Sequence, residues 1–326
     1  MPSPRRGRPL AALLLVPLLA PLALTAGCAS GPAAPGAATA RPSGSLTPMD
    51  PPRIGDVPRL TEAGDRTLPI EAYLLSGEQF RQYDAAQTVL VTRCVRGFGL
   101  EYARPAGAGS APSQSQTSHR YDPVELADVS VHGYHAPDPG GARKPSGGPS
   151  MSPELTTVLG TGLGPGGKPA PGSAAEFRGK ALPPGGCVGA AQRELTARGG
   201  TGRDADVAVG INYEGFERSM TDPRVKTVFQ DWSRCMGDRG YSYATPGDAL
   251  KDSRWAATTT PSAEEIATAT ADVDCKARTN VVGVWFTVET AYENELIRQH
   301  LPELTAVKAA DDAMLELARS VTATGS

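Results

Sequence analysis

A twelve-residue pattern that occurs twice in the chain constrains its fold more than any other feature. The first copy, CVRGFGLEYARP, spans residues 94–105, and the second, CMGDRGYSYATP, spans residues 235–246. Aligned without a gap, the copies share one Cys, one Gly, one Tyr, one Ala and one Pro at equivalent positions. An internal repeat indicates two related structural units. Because it contains no metal cluster or phosphate loop, it supports an argument about structure rather than about a reaction.

The second copy follows an amphipathic helix. Between residues 225 and 236, apolar side chains recur with the i, i+3, i+4, i+7 spacing of one helical face, and Cys235 lies on that stripe. Asp222 is a suitable N-cap, and Pro223 fits the first helical position because it has no N–H to leave unsatisfied. Gly240 marks the end, since glycine tolerates the left-handed conformation that closes many helices.

The first copy follows a helix of the same kind. Ser76 and Gln79 have the spacing of a capping box, which predicts a helix from about residue 77 to residue 95. The helix is expected to end near Gly97 or Gly99. The two copies therefore predict the same unit, a helix followed by a cysteine and a glycine turn.

Further helices complete the expected fold. Residues 186–198 are helical in pattern, with Cys187 on the apolar face, and residues 263–300 predict one long helix that opens with Ser262 and Glu265 as a capping box. The fold class is mainly α: a disulfide-stabilised helical domain with two helix–Cys–Gly-turn units, short extended pieces and long Pro/Gly-rich loops. The expected repeat halves are residues 68–200 and 206–300, followed by a C-terminal helix over 302–322.

The N-terminus carries the most specific functional signal. Three arginines precede an apolar run over residues 10–24, and Thr-Ala-Gly leads into Cys28. This arrangement resembles a bacterial lipoprotein signal peptide with its lipobox. The resemblance implies a signal peptide over residues 1–27, lipidation of Cys28 and attachment to the outer face of the cytoplasmic membrane through that lipid. An ordinary secretory peptide is the alternative.

Low-complexity sequence separates the leader from the domain. Residues 28–62 are rich in Ala, Pro and Gly, too poor in large apolar side chains to repay the entropy of ordering, and predict a flexible tether. The extracytoplasmic domain is then expected over residues 63–326. By the same argument much of residues 106–118 and 160–173 is predicted to be mobile.

The remaining four cysteines predict two disulfides. Export to an oxidising compartment and an even cysteine count favour bridges, whereas a zinc site is disfavoured because no CxxC pair occurs. Of the three possible connectivities, only Cys94–Cys187 with Cys235–Cys275 closes each bridge within one repeat half. The expected geometry has the first cysteine of each pair at a helix end and the second near a helix start. Spacing alone leaves the choice open.

Five residues are candidates for a binding surface. Tyr102, Tyr241 and Tyr243 belong to the repeats and have the mixed character of residues that line a sugar or peptide groove, although half-buried packing explains them equally well. His132 and His135 lie close in sequence, but the intervening Gly133 predicts a loop, and no acidic or thiol ligand is evident nearby. We therefore expect no metal and no cofactor.

The sequence offers little support for catalysis. It lacks a GxSxG turn, and all cysteines have other expected roles. The acidic residues Glu293 with Glu295, and Asp311 with Asp312, lie on predicted helices and are interpreted as solvated faces. Trp255 is interpreted as a core residue. A net charge of −3 without a basic stripe disfavours nucleic-acid binding.

A second resemblance extends over most of residues 65–300. The chain is similar to uncharacterised secreted lipoproteins of actinobacteria in these elements: Gly133-Tyr134-His135, Gly185-Gly186-Cys187, Trp232-Ser233, Cys235-Met236, Gly240-Tyr241, Pro246, Trp255 and Asp272 to Cys275. The resemblance implies a cell-surface location and transfers no catalytic residue. The expected function is binding or scaffolding at the cell envelope, with an unidentified envelope partner or ligand. The alternatives are a transporter-associated solute receptor and a cell-wall-acting enzyme. The receptor is less favoured because the sequence lacks the βαβ alternation that indicates two α/β lobes.

Overall fold

The structure is a computed structural model that describes residues 48–60, 66–104, 117, 119–135, 151–164 and 167–324. Cys28, the expected signal peptide and residues 29–47 of the expected tether lie outside these ranges. The mainly α fold class is confirmed: the described residues form ten α-helices and one hairpin of two short strands. None of these helices has the length and apolar character required to cross a membrane.

The elements follow in chain order. The helices are α1 (Gly77–Arg96), α2 (Leu126–His132), α3 (Pro153–Leu159), α4 (Gly186–Leu195), α5 (Asp206–Thr221), α6 (Pro223–Gly237), α7 (Pro246–Leu250), α8 (Ala263–Thr279), α9 (Val281–Gln299) and α10 (Leu301–Thr324). The antiparallel strands β1 (Glu176–Phe177) and β2 (Lys180–Ala181) lie between α3 and α4, and a 3₁₀ helix, Pro69–Tyr73, precedes α1.

Helices α1, α4 and α10 enclose the first hydrophobic core. The Ser76 hydroxyl accepts a hydrogen bond from the Gln79 amide, and the Gln79 side chain accepts from the Ser76 amide, so the predicted capping box opens α1. The apolar face of α1 packs against Leu195 of α4 and Met314 of α10, both fully buried. The Cys94–Cys187 disulfide joins the end of α1 to the start of α4.

Helices α6, α8 and α9 enclose the second core. Asp222 caps α6 by accepting a hydrogen bond from the Arg224 amide, and Pro223 is the first helical residue, as predicted. Trp232 of α6 and Trp285 of α9 supply the largest buried rings of this core. The Cys235–Cys275 disulfide ties α6 to α8.

Both bridges have the pairing that the repeat predicts, but part of the geometric argument for it is wrong. Cys187 lies at the start of α4, as expected. Cys275 instead lies in the last turns of α8, four residues before that helix ends at Thr279. The two disulfides therefore join helices in different ways, and the repeat reproduces the helix–Cys–Gly turn without reproducing the whole half.

The expected helix over residues 263–300 is interrupted. Asn280 adopts a left-handed conformation with φ of 58°, which ends α8 and begins α9. Asparagine tolerates this conformation because its short polar side chain can form local hydrogen bonds. Ser262 caps α8 as predicted, but the Glu265 side chain does not complete the capping box and is used elsewhere in the fold.

The tether prediction is wrong for residues 48–60. Met49, Ile54 and Leu60 pack against the second core, so this stretch partly buries apolar side chains despite its composition. The Asn280 side-chain amide donates to the Pro58 carbonyl oxygen at 3.1 Å, and Gly283 leaves the space for this approach because a Cβ there would lie 2.0 Å from the same oxygen. The described residues from Pro48 onward form one compact unit.

The second loop predicted to be mobile makes specific contacts over residues 160–164 and 167–173. The amide of Gly162 donates to the Gly185 carbonyl oxygen at 3.0 Å, and the amide of Leu163 donates to the Gln192 side chain at 2.7 Å. These bonds attach the loop to the start and first turns of α4. Residues 106–116 and 118 of the other predicted mobile loop lie outside the described ranges.

Candidate functional site

The five predicted binding residues do not form one surface. Tyr102 is half-buried against the first core, whereas Tyr241 and Tyr243 are half-buried against the second. The Tyr243 hydroxyl donates to Oδ2 of Asp252 at 2.9 Å and accepts from Arg254 at 2.8 Å. The packing interpretation of the repeat tyrosines therefore accounts for the contacts that they make.

His135 binds a carboxylate that the sequence analysis missed. Its Nδ1 lies 2.7 Å from Oε1 of Glu265, and its Nε2 lies 3.1 Å from the Thr258 carbonyl oxygen. The hydrogen bond to Glu265 raises the pKa of His135, with a further contribution from the Thr258 carbonyl. His132 is the last residue of α2. Among the described residues, no group of three or more His, Cys, Asp or Glu side chains is arranged to hold a metal ion.

Glu265 clamps the loop after α2 onto α8. The same Oε1 accepts a hydrogen bond from the Tyr134 amide at 2.8 Å. Gly133 has φ of 57°, and a Cβ at this position would lie 2.8 Å from Oε1, so glycine is required for both conformation and space. The Tyr134 ring stacks on Trp255, which is buried as the sequence predicts.

A buried ion pair continues this network into the second core. Asp272 accepts from the Trp232 indole at 2.9 Å and from the Tyr134 hydroxyl at 3.2 Å, and its Oδ2 lies 3.2 Å from Nζ of Lys276. Burial raises the pKa of Asp272 and lowers the pKa of Lys276, and each charge opposes the shift of the other. Lys276 also donates to the Pro123 carbonyl oxygen at 2.9 Å. Each buried charge is thus paired and hydrogen-bonded, as stability requires.

The sequence interpretation of Glu293 as part of a solvated face is wrong. Glu293 is fully buried on α9, where its Oε2 accepts a hydrogen bond from the Ile70 amide at 3.0 Å. Glu289, one turn earlier, is also fully buried and lies 3.0 Å from the Arg120 guanidinium. Burial raises the pKa of Glu289 to about 7 and that of Glu293 to about 8. Glu295, in contrast, is more exposed and pairs with Arg298.

A groove of about 460 Å³ lies between the start of α1 and the middle of α10. Its first wall is formed by the 3₁₀ helix and the beginning of α1, and its second wall by the exposed side of α10. Acidic residues from both walls line this space, with a single lysine among them. The charged residues that line the groove are Glu71, Glu78, Lys308, Asp311 and Asp312. The volume is within the usual range of small-molecule sites.

Asp311 is the distinctive residue of this groove, and its assignment to a solvated face is wrong. Only 9% of the residue is exposed, although it lines the groove. Burial raises the pKa of Asp311 to about 6, with further contributions from the negative charges of Asp204 and Asp312 and an opposing contribution from Lys308. At neutral pH this carboxyl group is therefore mostly ionised in a poorly solvated position.

A second groove of about 410 Å³ separates residues 52–55 from α9. Its acidic residue, Glu295, forms an ion pair with Arg298 at 2.5 Å and also accepts from Gln299 at 2.7 Å. The charge of this carboxylate is therefore compensated within the protein. The first groove is the better candidate site because Asp311 has no hydrogen bond or ion pair with any described residue.

Sequence reasoning missed both Glu265 and Asp311. Burial on a helix depends on what packs against it, and here the partners are separated by long stretches of sequence. Glu265 follows its N-cap by three residues, and this spacing predicted a capping box that its side chain does not form.

A scan against family models and searches of curated proteins and solved structures find no match to this chain.

Proposed function

We propose that this chain is a lipid-anchored extracytoplasmic protein that binds a ligand or partner at the cell envelope. The lipobox-like sequence ending at Cys28 is the observation that carries the anchoring. The two disulfides are consistent with an oxidising compartment outside the cytoplasm. Lipid on Cys28 would hold the chain at the outer face of the cytoplasmic membrane.

The acidic groove supports a binding role. Most buried charges described above, including Glu265, Asp272 and Lys276, are used in contacts that join one helix or loop to another. Asp311 differs because it faces a groove and is not paired within the described structure. A carboxylate with little exposure and no protein partner must be solvated through the groove or compensated by a ligand. This contrast favours a binding site over a purely structural cluster.

A Cys28→Ser variant tests the anchoring. We expect the wild-type protein in the membrane fraction with a lipid mass on its N-terminal peptide, and the variant without that mass and without membrane association. An Ala29→Ser variant, which keeps the thiol, serves as the matched control and should behave as wild type. Wild-type protein recovered entirely from the medium, with no lipid mass, would refute this part of the proposal.

A transporter-associated solute receptor is the second candidate. The acidic groove supports it, since such receptors need a site for a small solute. The mainly helical fold supports it less, because receptors of that class generally have two α/β lobes around a hinge. Binding of a transported solute, measured with the permease present and absent, would distinguish it from a scaffolding protein.

A further inference from the structure

The acidic groove has an excess of negative charge. Four carboxylates and one ammonium group line it, which leaves a formal charge of −3 when all are ionised. Lys308 is near Asp312, at 3.8 Å between Nζ and Oδ1, and both side chains are more than half exposed. Such an exposed ion pair contributes little to the stability of the fold. The start of α1 carries a partial positive charge of roughly half a unit, which is too small to reverse the sign of the groove.

Asp311 is the buried carboxylate among these acidic residues. Asp204 contributes to the raised pKa of Asp311, but Asp204 accepts a hydrogen bond from the Leu75 amide at 2.6 Å. Asp311 has no such bond within the described residues. The backbone of Gly200 approaches closely on one side, since a Cβ there would lie 3.1 Å from Oδ1 of Asp311. The carboxylate is therefore enclosed by protein and open to a ligand through the groove.

The lining indicates the chemistry of the missing partner. An anion would be repelled by the surrounding carboxylates, and the described residues offer no cluster of metal-ligating side chains. Tyr73, Leu74 and Leu75 line the same groove and can accommodate the methylene chain of an organic cation. We infer that the groove binds an alkylammonium group, with Asp311 as its buried counter-ion. This inference rests on the proposed binding role and specifies the ligand class.

Titration calorimetry of the full chain in detergent, at pH 7.5 and low salt, tests the inference with spermidine as the probe. We expect binding that weakens about tenfold or more in Asp311→Asn, because one charge of an attractive pair is removed. Glu316→Gln removes one charge from the same helix outside the groove and should change affinity less than about twofold. The Asp311→Asn substitution should not prevent folding, because it removes an unpaired charge. Thermal unfolding of both variants checks this.

The pH dependence provides a second readout. Between pH 7.5 and pH 5 the polyamine stays protonated while Asp311 gains a proton, so affinity should fall in the wild type. The groups around Asp311 are Asp204, Asp312 and Lys308. In Asp311→Asn the fall should be much smaller. An equal fall in both proteins would overturn the assignment of Asp311 as the counter-ion.

Additional probes identify the source of the ammonium group. Binding of spermidine alone indicates a free polyamine, whereas binding of N-acetyl-lysine methylamide indicates the side chain of a peptide, and both results support the inference. Stronger binding of calcium chloride than of either organic probe would overturn it. If hydrogen exchange shows that a neutral or anionic compound protects the groove while both amines fail, the ligand class is wrong but the binding role stands. If no compound protects the groove, both the inferred ligand class and the proposed binding role are wrong.

Discussion

The indole Nε1 of Trp232 donates a hydrogen bond to Oδ1 of Asp272 at 2.9 Å, and both side chains are fully buried. The other oxygen of Asp272 faces Lys276. One carboxylate thus links α6 and the loop after α2 to α8. This hydrogen bond joins two residues that are separated by 40 positions in the sequence.

Removal of Asp272 should strongly destabilise the fold. Asp272→Ala leaves the Lys276 ammonium buried without its counter-ion, and we expect a loss of about 3 to 5 kcal/mol in the free energy of unfolding. Asp274→Ala, two residues away on the exposed side of α8, should cost less than about 1 kcal/mol. Urea denaturation measures both. Equal losses in the two variants would contradict the role assigned to the buried pair.

Substitution of Gly133 should cost more than substitution of a glycine with similar backbone geometry. Gly133→Ala introduces both a strained positive φ and a contact at 2.8 Å with Glu265. Gly240→Ala is the matched control, because Gly240 has φ of 88° but no neighbouring atom within 4 Å of the added Cβ. The control should lose about 1 to 2 kcal/mol from strain alone. A loss of stability in Gly133→Ala that does not exceed that of the control would show that the Glu265 side chain moves aside at little cost.

Glu293 should make the protein less stable as pH rises. Its pKa is about 8 in the folded state, above the ordinary value of 4.5, so the folded state binds the proton more tightly than the unfolded state. The resulting stabilisation is complete below about pH 4.5 and is lost as pH rises through 8. Burial is the main cause of the raised pKa of Glu293. The charges of Glu289 and Glu71 raise this pKa further, whereas the Ile70 amide and Arg120 lower it.

Glu293→Gln should therefore flatten the pH dependence of stability. We expect the wild type to lose about 4 kcal/mol more than the variant between pH 5 and pH 9. Glu295→Gln, whose exposed carboxylate has a lowered pKa, is the control and should leave the slope over this window unchanged. Chemical denaturation at several pH values measures the difference. Parallel curves for wild type and Glu293→Gln would exclude this role.

Each disulfide should contribute substantially to the free energy of unfolding, and the two contributions should be similar. They close loops of 93 and 40 residues, and the chain-entropy relation gives roughly 4 kcal/mol for each, with the longer loop ahead by less than about 1 kcal/mol. Replacing Cys94 and Cys187 by serine, or Cys235 and Cys275 by serine, should give comparable losses in urea denaturation. Mass spectrometry of a non-reduced digest checks the pairing. A peptide that links Cys94 to Cys235 would contradict the structure.

The residues behind the actinobacterial resemblance have structural explanations within this fold. Trp232 and Tyr134 bind Asp272, and His135 binds Glu265. Gly186 allows close backbone contact with the residues after α3, since a Cβ there would lie 2.4 Å from the Leu159 carbonyl oxygen. In this fold these residues have packing roles, and none of them lines the groove. The groove residues lie outside this set, which is why the resemblance gave no indication of them.

Local sequence signals determined where α1, α6 and α8 begin, whereas they left the choice among the cysteine pairings open. The caps at Ser76 and Asp222 act within one turn of helix, so their effect can be read from adjacent residues. The left-handed break at Asn280 was missed because the apolar pattern continues across it, although asparagine itself was an available signal. The packing of residues 48–60 was missed because composition describes their average character and not the few side chains that reach the core.

Only the tertiary structure decided which carboxylates are buried. The Ile70 amide binds Glu293 across 223 residues of sequence, and Asp311 lines its groove together with residues of the 3₁₀ helix before α1. In the sequence, each acid has the same appearance as a solvated residue on an amphipathic helix. Solvation depends on the segments that pack against a helix, and those contacts form only when distant parts of the chain come together. The helical elements are therefore local properties of the sequence, whereas the candidate site is a property of the fold.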